Sequence, residues 1–150
     1  MRTINILFNT PLEFALDIIK PLTGIVGLYF IFSEQRQVQY PFKSSRLLYI
    51  GMSEKKTNSI GSRLSGHFEG KSKNIGLLNY RKVAPLKFTY LNYELFKNIW
   101  ELRIEDMESH FILDFVKNFG VYPICNNKVG FEVLKSDIKI KFNIDWDYFN

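Results

Sequence analysis

Two short runs constrain this chain more than any other feature: Gly27-Leu28-Tyr29-Phe30-Ile31-Phe32-Ser33 and Leu47-Leu48-Tyr49-Ile50-Gly51-Met52. Each is apolar, rich in β-branched or aromatic side chains and too short for a typical helix, so each reads as a strand. The polar stretch from Glu34 to Arg46, containing Pro41, reads as the loop that joins them as an antiparallel pair. Alternation places Leu28, Phe30 and Phe32 on one face, and Tyr29, Ile31 and Ser33 on the other. In the second strand Leu48, Ile50 and Met52 share a face, opposite Leu47, Tyr49 and Gly51. Each strand thus has one strongly apolar face and directs one tyrosine away from it. Such tyrosines usually serve as amphipathic packing at a half-buried face. Gly51 points further, because a glycine inside a strand marks a bulge or a close backbone approach.

Around this pair the remaining elements follow from caps and spacing. Thr10-Pro11 predicts a helix start, with Leu12, Leu16 and Ile19 at helical spacing and a stop at Pro21 and Gly24. Asn58 or Ser59 caps a short helix over 60–68, ended by Gly70. Residues 70–85 read as a basic loop, and Leu86 to Tyr90 as a third strand. A long helix is expected from about Asn98 to Phe119, closed by Gly120 and Pro123. The alternation at 131–134 and 138–142 predicts one or two further strands. The whole predicts one α+β domain over residues 1–150, with a small antiparallel three-stranded sheet flanked by helices and extra C-terminal strands.

Composition excludes several classes. Aromatic residues make up 16% of the chain, including 14 Phe, which is incompatible with disorder. No apolar run approaches the ~18 residues of a membrane span, so no membrane partner is expected. Asn5, Asn9 and Pro11 interrupt any signal-peptide pattern, and the single cysteine, Cys125, allows no internal disulfide; the expectation is a cytoplasmic protein. The net charge of +5 is unevenly spread. Residues 34–87 hold eleven Lys/Arg against Glu34, Glu54 and Glu69, whereas the remaining chain is mildly acidic. A basic middle is what a polyanion-binding surface requires, although it also serves solubility.

Three further residues, on two helices, break the packing pattern. Arg63 and His67 stand four apart and are neighbours on one helix face, flanking the stripe of Ile60 and Leu64. An ordinary solvated pair would look the same. A guanidinium gripping a phosphate beside an imidazole that exchanges protons is the functional counterpart. In the long helix the apolar arc contains Trp100, Ile104, Met107, Phe111, Ile112, Phe115, Val116 and Phe119, and Glu108 falls inside it. A carboxylate there needs a partner or a metal. Glu101 and Glu105 are explained by the helix N-terminus, where acids are favoured. His110 falls on the polar side, as a solvated residue. Gly61-x4-Gly66 lacks the Lys and Ser/Thr of a phosphate loop, and two histidines with one cysteine make no zinc spacing.

Taken in order, these residues resemble the GIY-YIG nuclease superfamily. Gly27-Leu28-Tyr29 stands for the first motif and Tyr49-Ile50-Gly51 for the second. Arg63 and His67 match the helix motif, Glu108 looks like the metal-binding glutamate, and Asn126 or Asn127 after Pro123 resembles the terminal Pro-x-x-Asn signal. The resemblance covers about residues 27–127. Leu28 replaces the isoleucine of the name, and the twenty-residue separation of the tyrosines is longer than usual.

The resemblance implies a metal-dependent DNA endonuclease. Glu108 would hold one Mg²⁺ or Mn²⁺, Arg63 the scissile phosphate, and Asn126 would brace the site. Tyr29 would take the proton of the attacking water, assisted by His67, and Tyr49 would position that water or the phosphate. Lys55, Lys56, Arg63, Lys71, Lys73, Arg81 and Lys82 would face DNA. Restriction, mobile-element and repair roles all fit, and one site per chain makes a homodimer an arrangement to test. The alternatives are a nucleic-acid-binding domain of the same fold that cuts nothing, and an unrelated α+β interaction module.

Overall fold

The computed structural model describes residues 2–100, 102–126 and 140–150, with the side chain of Trp100 outside that set. Glu101, Asn127 and the strand expected at 131–134 lie outside the described residues. The fold is α+β. Its elements are β1 (Arg2–Ile6), β2 (Leu12–Glu13), α1 (Leu16–Ile19), β3 (Gly27–Ser33), β4 (Val38–Gln39), β5 (Ser44–Ser45) and β6 (Leu47–Ser53), then α2 (Ile60–Glu69), α3 (Ile75–Val83), β7 (Leu86–Asn92), α4 (Tyr93–Trp100), α5 (Ile104–Phe119) and β8 (Ile140–Ile144). The main sheet is antiparallel and four-stranded, in the order β2-β7-β3-β6.

β3 is central, and every one of its residues is buried, because helices cover both faces of the sheet. On one face Leu28, Phe30 and Phe32 pack with Ile104, Met107, Phe111, Ile112, Phe115 and Phe119 of α5, and with Trp146 and Phe149 near the C-terminus. On the other, Tyr29 and Ile31 pack with Ile19, Leu22, Ile60, Leu64, Leu77 and Phe88. Burying a side chain of this size stabilises the fold by roughly 1.5–3 kcal/mol, so the two layers hold the sheet firmly.

Several expectations are corrected by partners distant in sequence. Leu12 and Glu13 pair with Phe88 and Lys87 of β7 instead of starting a helix, which is confined to α1; the free edge of β7 needed hydrogen bonds, and Pro11 is tolerated beside an edge strand. The sheet therefore gains a fourth, two-residue strand. The loop at 34–46 carries the small β4–β5 hairpin. Residues 70–85 are largely helical: the Asn74 side chain caps α3 by accepting from Leu77 N at 3.1 Å, and Leu77 anchors it in the core. The helix expected from Asn98 is two helices, broken where Arg103 adopts an extended conformation (φ −72°, ψ 155°) and pairs with Asp106. Of the strand expected at 138–142, the described part, 140–142, belongs to β8, which pairs in parallel with β1 in a separate two-stranded sheet.

Candidate active site at the edge of β6

The two triplets are adjacent across the sheet, with Tyr29 opposite Gly51 and Ile31 opposite Tyr49. A register shift at Ile31/Phe32 leaves Leu48 as the extra residue of a bulge. The simple alternation fails there: Leu47 joins the α5 layer, while Leu48 and Tyr49 both face the α2 layer. Bulges re-aim side chains in this way. The glycines have steric reasons. A Cβ on Gly51 would stand 2.3 Å from Tyr29 Cζ, so the Tyr29 ring lies directly over it. At Gly27, φ is +149° and a Cβ would stand 1.9 Å from the Leu91 carbonyl oxygen. Only glycine fits that approach. Tyr29 is fully buried, not half-buried as alternation implied.

Helix α2 supplies the polar partners. Ser59 caps it, accepting from Ser62 N, and Gly70 ends it in the left-handed conformation at φ 80°. Within it Arg63 and His67 both reach Tyr29. The Tyr29 hydroxyl lies 3.0 Å from His67 Nε2, and Arg63 Nε donates to it across 3.4 Å. The Tyr49 ring lies 5.0 Å from the His67 ring and 6.0 Å from the Tyr29 ring, close enough for the two phenols to influence each other's protonation. His67 Nδ1 lies 2.7 Å from Ser72 Oγ.

Burial governs the protonation of this cluster. It raises the Tyr29 phenol well above its ordinary range, and the neighbouring Tyr49 raises it further while Arg63 opposes. Tyr49 is likewise raised by burial. His67 is pushed down to about 4, first by burial and then by the positive Arg63, so it is neutral near pH 7. A neutral imidazole beside a protonated phenol is a proton acceptor in waiting. For Arg63, burial opposes the charge, but Tyr29, Tyr49 and Glu108 outweigh it and hold the guanidinium protonated.

Glu108, on α5 in the other layer, acts on this cluster electrostatically. Its carboxylate raises both Tyr49 and Arg63 electrostatically. It is half-buried, not enclosed in the apolar arc, because β6 is the edge strand among the described residues and α5 packs across it. Asn126 sits on the same edge. Its Oδ1 accepts from Ile50 N at 3.0 Å and its Nδ2 donates to Ile50 O at 2.9 Å, while Cys125 N donates to Leu48 O at 2.9 Å. One amide thus stands in for a neighbouring strand exactly where Tyr49 and Gly51 need a fixed backbone.

Among the described residues no three His, Cys, Asp or Glu side chains cluster. One half-exposed carboxylate still suits a hard cation such as Mg²⁺, which keeps several waters and takes its other oxygens from a substrate phosphate. Glu108 is the residue that fits.

Comparison with known proteins adds nothing to this geometry: no family model, curated protein or solved structure matches the chain. The basic residues divide by position. A groove of about 370 Å³ is lined by Asn58, Ser62, Arg63, Gly66, His67, Lys71 and Ser72, and a smaller one of about 160 Å³ by Met52, Glu54, Lys55, Asn58 and Arg63. Arg63 borders both, which places Lys55 and Lys71 beside the cluster. Lys56, Lys73 and Lys82 are exposed without lining either groove. Arg81 is not brought there: it donates to Phe68 O at 2.6 Å, stacks over the Phe68 ring and borders a different groove with Glu13 and Glu34. His110, expected in solvent, is half-buried against Phe142, and burial lowers its pKa. Cys125 is buried and pushed up to about 12, which excludes a ready nucleophile. The polar residues of this groove to which sequence patterns gave no site role are Asn58, Ser62 and Ser72. Small polar residues around a helix give no periodic signal.

Proposed function

We propose that this chain is a metal-dependent DNA endonuclease of the GIY-YIG type, built on a three-stranded β7-β3-β6 core to which β2 is added. The observation that carries the reading is the convergence on one buried hydroxyl, that of Tyr29, of His67 Nε2 and Arg63 Nε. Tyr49 and Glu108 are coupled to the same group of charges. Packing alone gives no reason to gather two phenols, an imidazole, a guanidinium and a carboxylate at one strand edge, since each loses hydration there.

Hydrolysis of a phosphodiester needs an activated water, neutralisation of the phosphate and help for the leaving oxygen. Arg63, protonated and bordering both grooves, grips the scissile phosphate. Tyr29 has no exposed surface, so the water's proton reaches it through Tyr49, the partly exposed phenol whose ring lies beside it. Tyr29 passes its own proton to neutral His67 as it receives that of Tyr49. No tyrosinate has to be stored, which the burial of both phenols would disfavour. A Mg²⁺ or Mn²⁺ held by Glu108 would stabilise negative charge on the leaving 3′ oxygen. Lys55 and Lys71 flank the path of the DNA backbone, and the wider basic middle attracts it.

Cleavage of a random-sequence DNA library with Mg²⁺ or Mn²⁺ tests this. Because metal stabilisation is worth several kcal/mol, Glu108→Gln should slow cleavage by about a thousandfold or more. DNA that stays intact with wild type and variant alike, yet binds in a salt-dependent and metal-independent way, would show a binding domain that cuts nothing.

A further inference from the structure

His67 can accept a proton from Tyr29 only if its Nε2 is bare, which requires the other ring nitrogen to carry the hydrogen. The turn after α2 is shaped around that nitrogen. Gly70 and Lys73 both adopt left-handed conformations, with φ of 80° and 60°, and at a non-glycine residue that geometry is uncommon and concentrates at functional sites. The result folds the chain back under its helix: Ser72 N donates to Gly66 O at 3.2 Å and Lys73 N to Gly70 O at 3.1 Å. Ser72 Oγ then meets His67 Nδ1 at 2.7 Å, the shortest polar contact of the His67 ring. The next residues lock the turn, since Asn74 caps α3 and its Nδ2 donates to Cys125 O at 3.0 Å. His67 is buried, whereas Ser72 is exposed on the wall of the 370 Å³ groove.

We infer that Ser72 is a positioning and relay residue, holding the His67 Nδ1–H so that Nε2 faces Tyr29 and passing the departing proton to solvent. The catalytic meaning of this inference rests on the nuclease reading; the tautomer does not. In the relay the Tyr29 hydroxyl proton moves to Nε2, the Nδ1 proton moves to Ser72 Oγ, and the Ser72 hydroxyl proton moves to solvent water. The imidazole is left neutral in its other tautomer, and the reverse shift resets it when the site empties. Such a path suits a histidine whose charged form is disfavoured by burial and by Arg63. Arg63 Nε donates to the same Tyr29 oxygen, which leaves the phenol proton free to point at Nε2.

Nitrogen-15 NMR of the imidazole reads the tautomer directly, on the whole chain and without substrate. Wild type should show His67 with hydrogen on Nδ1. Ser72→Ala should lose that preference, and Ser72→Thr, which keeps the hydroxyl, should retain it. Hydrogen on Nε2 in wild type, or an unchanged tautomer in Ser72→Ala, overturns the inference. On DNA, Ser72→Ala should lower kcat by about ten- to a hundredfold with KM kept, a share of what a proton-transfer group contributes, and Ser72→Thr should restore it. Cleavage by Ser72→Ala at the wild-type rate overturns the relay. A tautomer that responds as stated while no variant cleaves DNA supports the positioning role and counts against the nuclease reading instead.

Discussion

Replacing Gly51 with alanine would set a methyl group 2.3 Å from Tyr29 Cζ, 2.5 Å from its hydroxyl oxygen and 2.6 Å from Cε2. Normal carbon contacts lie at about 3.5–4.0 Å, so the ring must move by more than an ångström. It has nowhere to go without loss, because Tyr29 is fully buried between Tyr49, His67 and the α2 layer. Overpacking of this kind destabilises by about 1–3 kcal/mol. Displacing the hydroxyl from His67 and Arg63 leaves buried polar groups unsatisfied, at roughly another 1–3 kcal/mol. A total of about 2–6 kcal/mol corresponds to a fall in Tm of roughly 4–24 °C for a domain of this size, at about 2–4 °C per kcal/mol. Gly66→Ala is the matched control. Its Cβ would meet nothing within 4 Å, and alanine is favoured over glycine inside a helix by about 1 kcal/mol, so its Tm should rise slightly. Circular-dichroism melts of the two variants beside wild type give the comparison. A Gly51→Ala protein that melts within 2 °C of wild type, a bound of about 1 kcal/mol, would refute the close packing of Tyr29 over Gly51.

The depressed pKa of His67 makes stability depend on pH. Its folded value of about 4 lies below the ordinary 6.5, so the unfolded chain binds the proton more readily. The stabilisation is complete above about pH 6.5 and is lost as pH falls towards 4, by up to about 3 kcal/mol. Urea unfolding of wild type and His67→Gln across pH 4–7 should show this slope in the wild type and its loss in the variant; parallel curves would contradict it. At the β6 edge, Asn126→Ala removes both bonds to the Ile50 backbone and should lower stability by about 1–3 kcal/mol. Asn126→Asp keeps the acceptor but sets a carboxylate against the Ile50 carbonyl oxygen, so it should be no more stable than Asn126→Ala in the same urea assay, and a wild-type midpoint in either would refute the bracing role.

Local chemistry in the sequence was enough to determine β3 and β6, helix α2 with its left-handed end and a cap at Asn58 or Ser59, and the neighbouring Arg63 and His67. Periodicities of two and of 3.6 residues, and a glycine after the last turn, act over a few residues and need no partner. The two triplets themselves followed from the same short-range rules, and so did the expectation that something approaches Gly51. What approaches it was decided only by tertiary structure. The bulge at Leu48 depends on how two strands register, and one inserted residue reverses which face each side chain takes. The burial of Tyr29 depends on a helix layer contributed by residues more than thirty positions away. α3 was hidden because its basic residues mask a short apolar stripe, and the break at Arg103 because the apolar arc runs on through it. Glu108 joins the site only because β6 is an edge, where side chains from opposite layers can meet. Ser72 reaches His67 only because two left-handed residues turn the chain back, a conformation that Lys73 does not advertise. The residues able to do chemistry were visible in the order of the chain; the partners that set their protonation were supplied by the fold, because burial and hydrogen bonding are properties of neighbours in space.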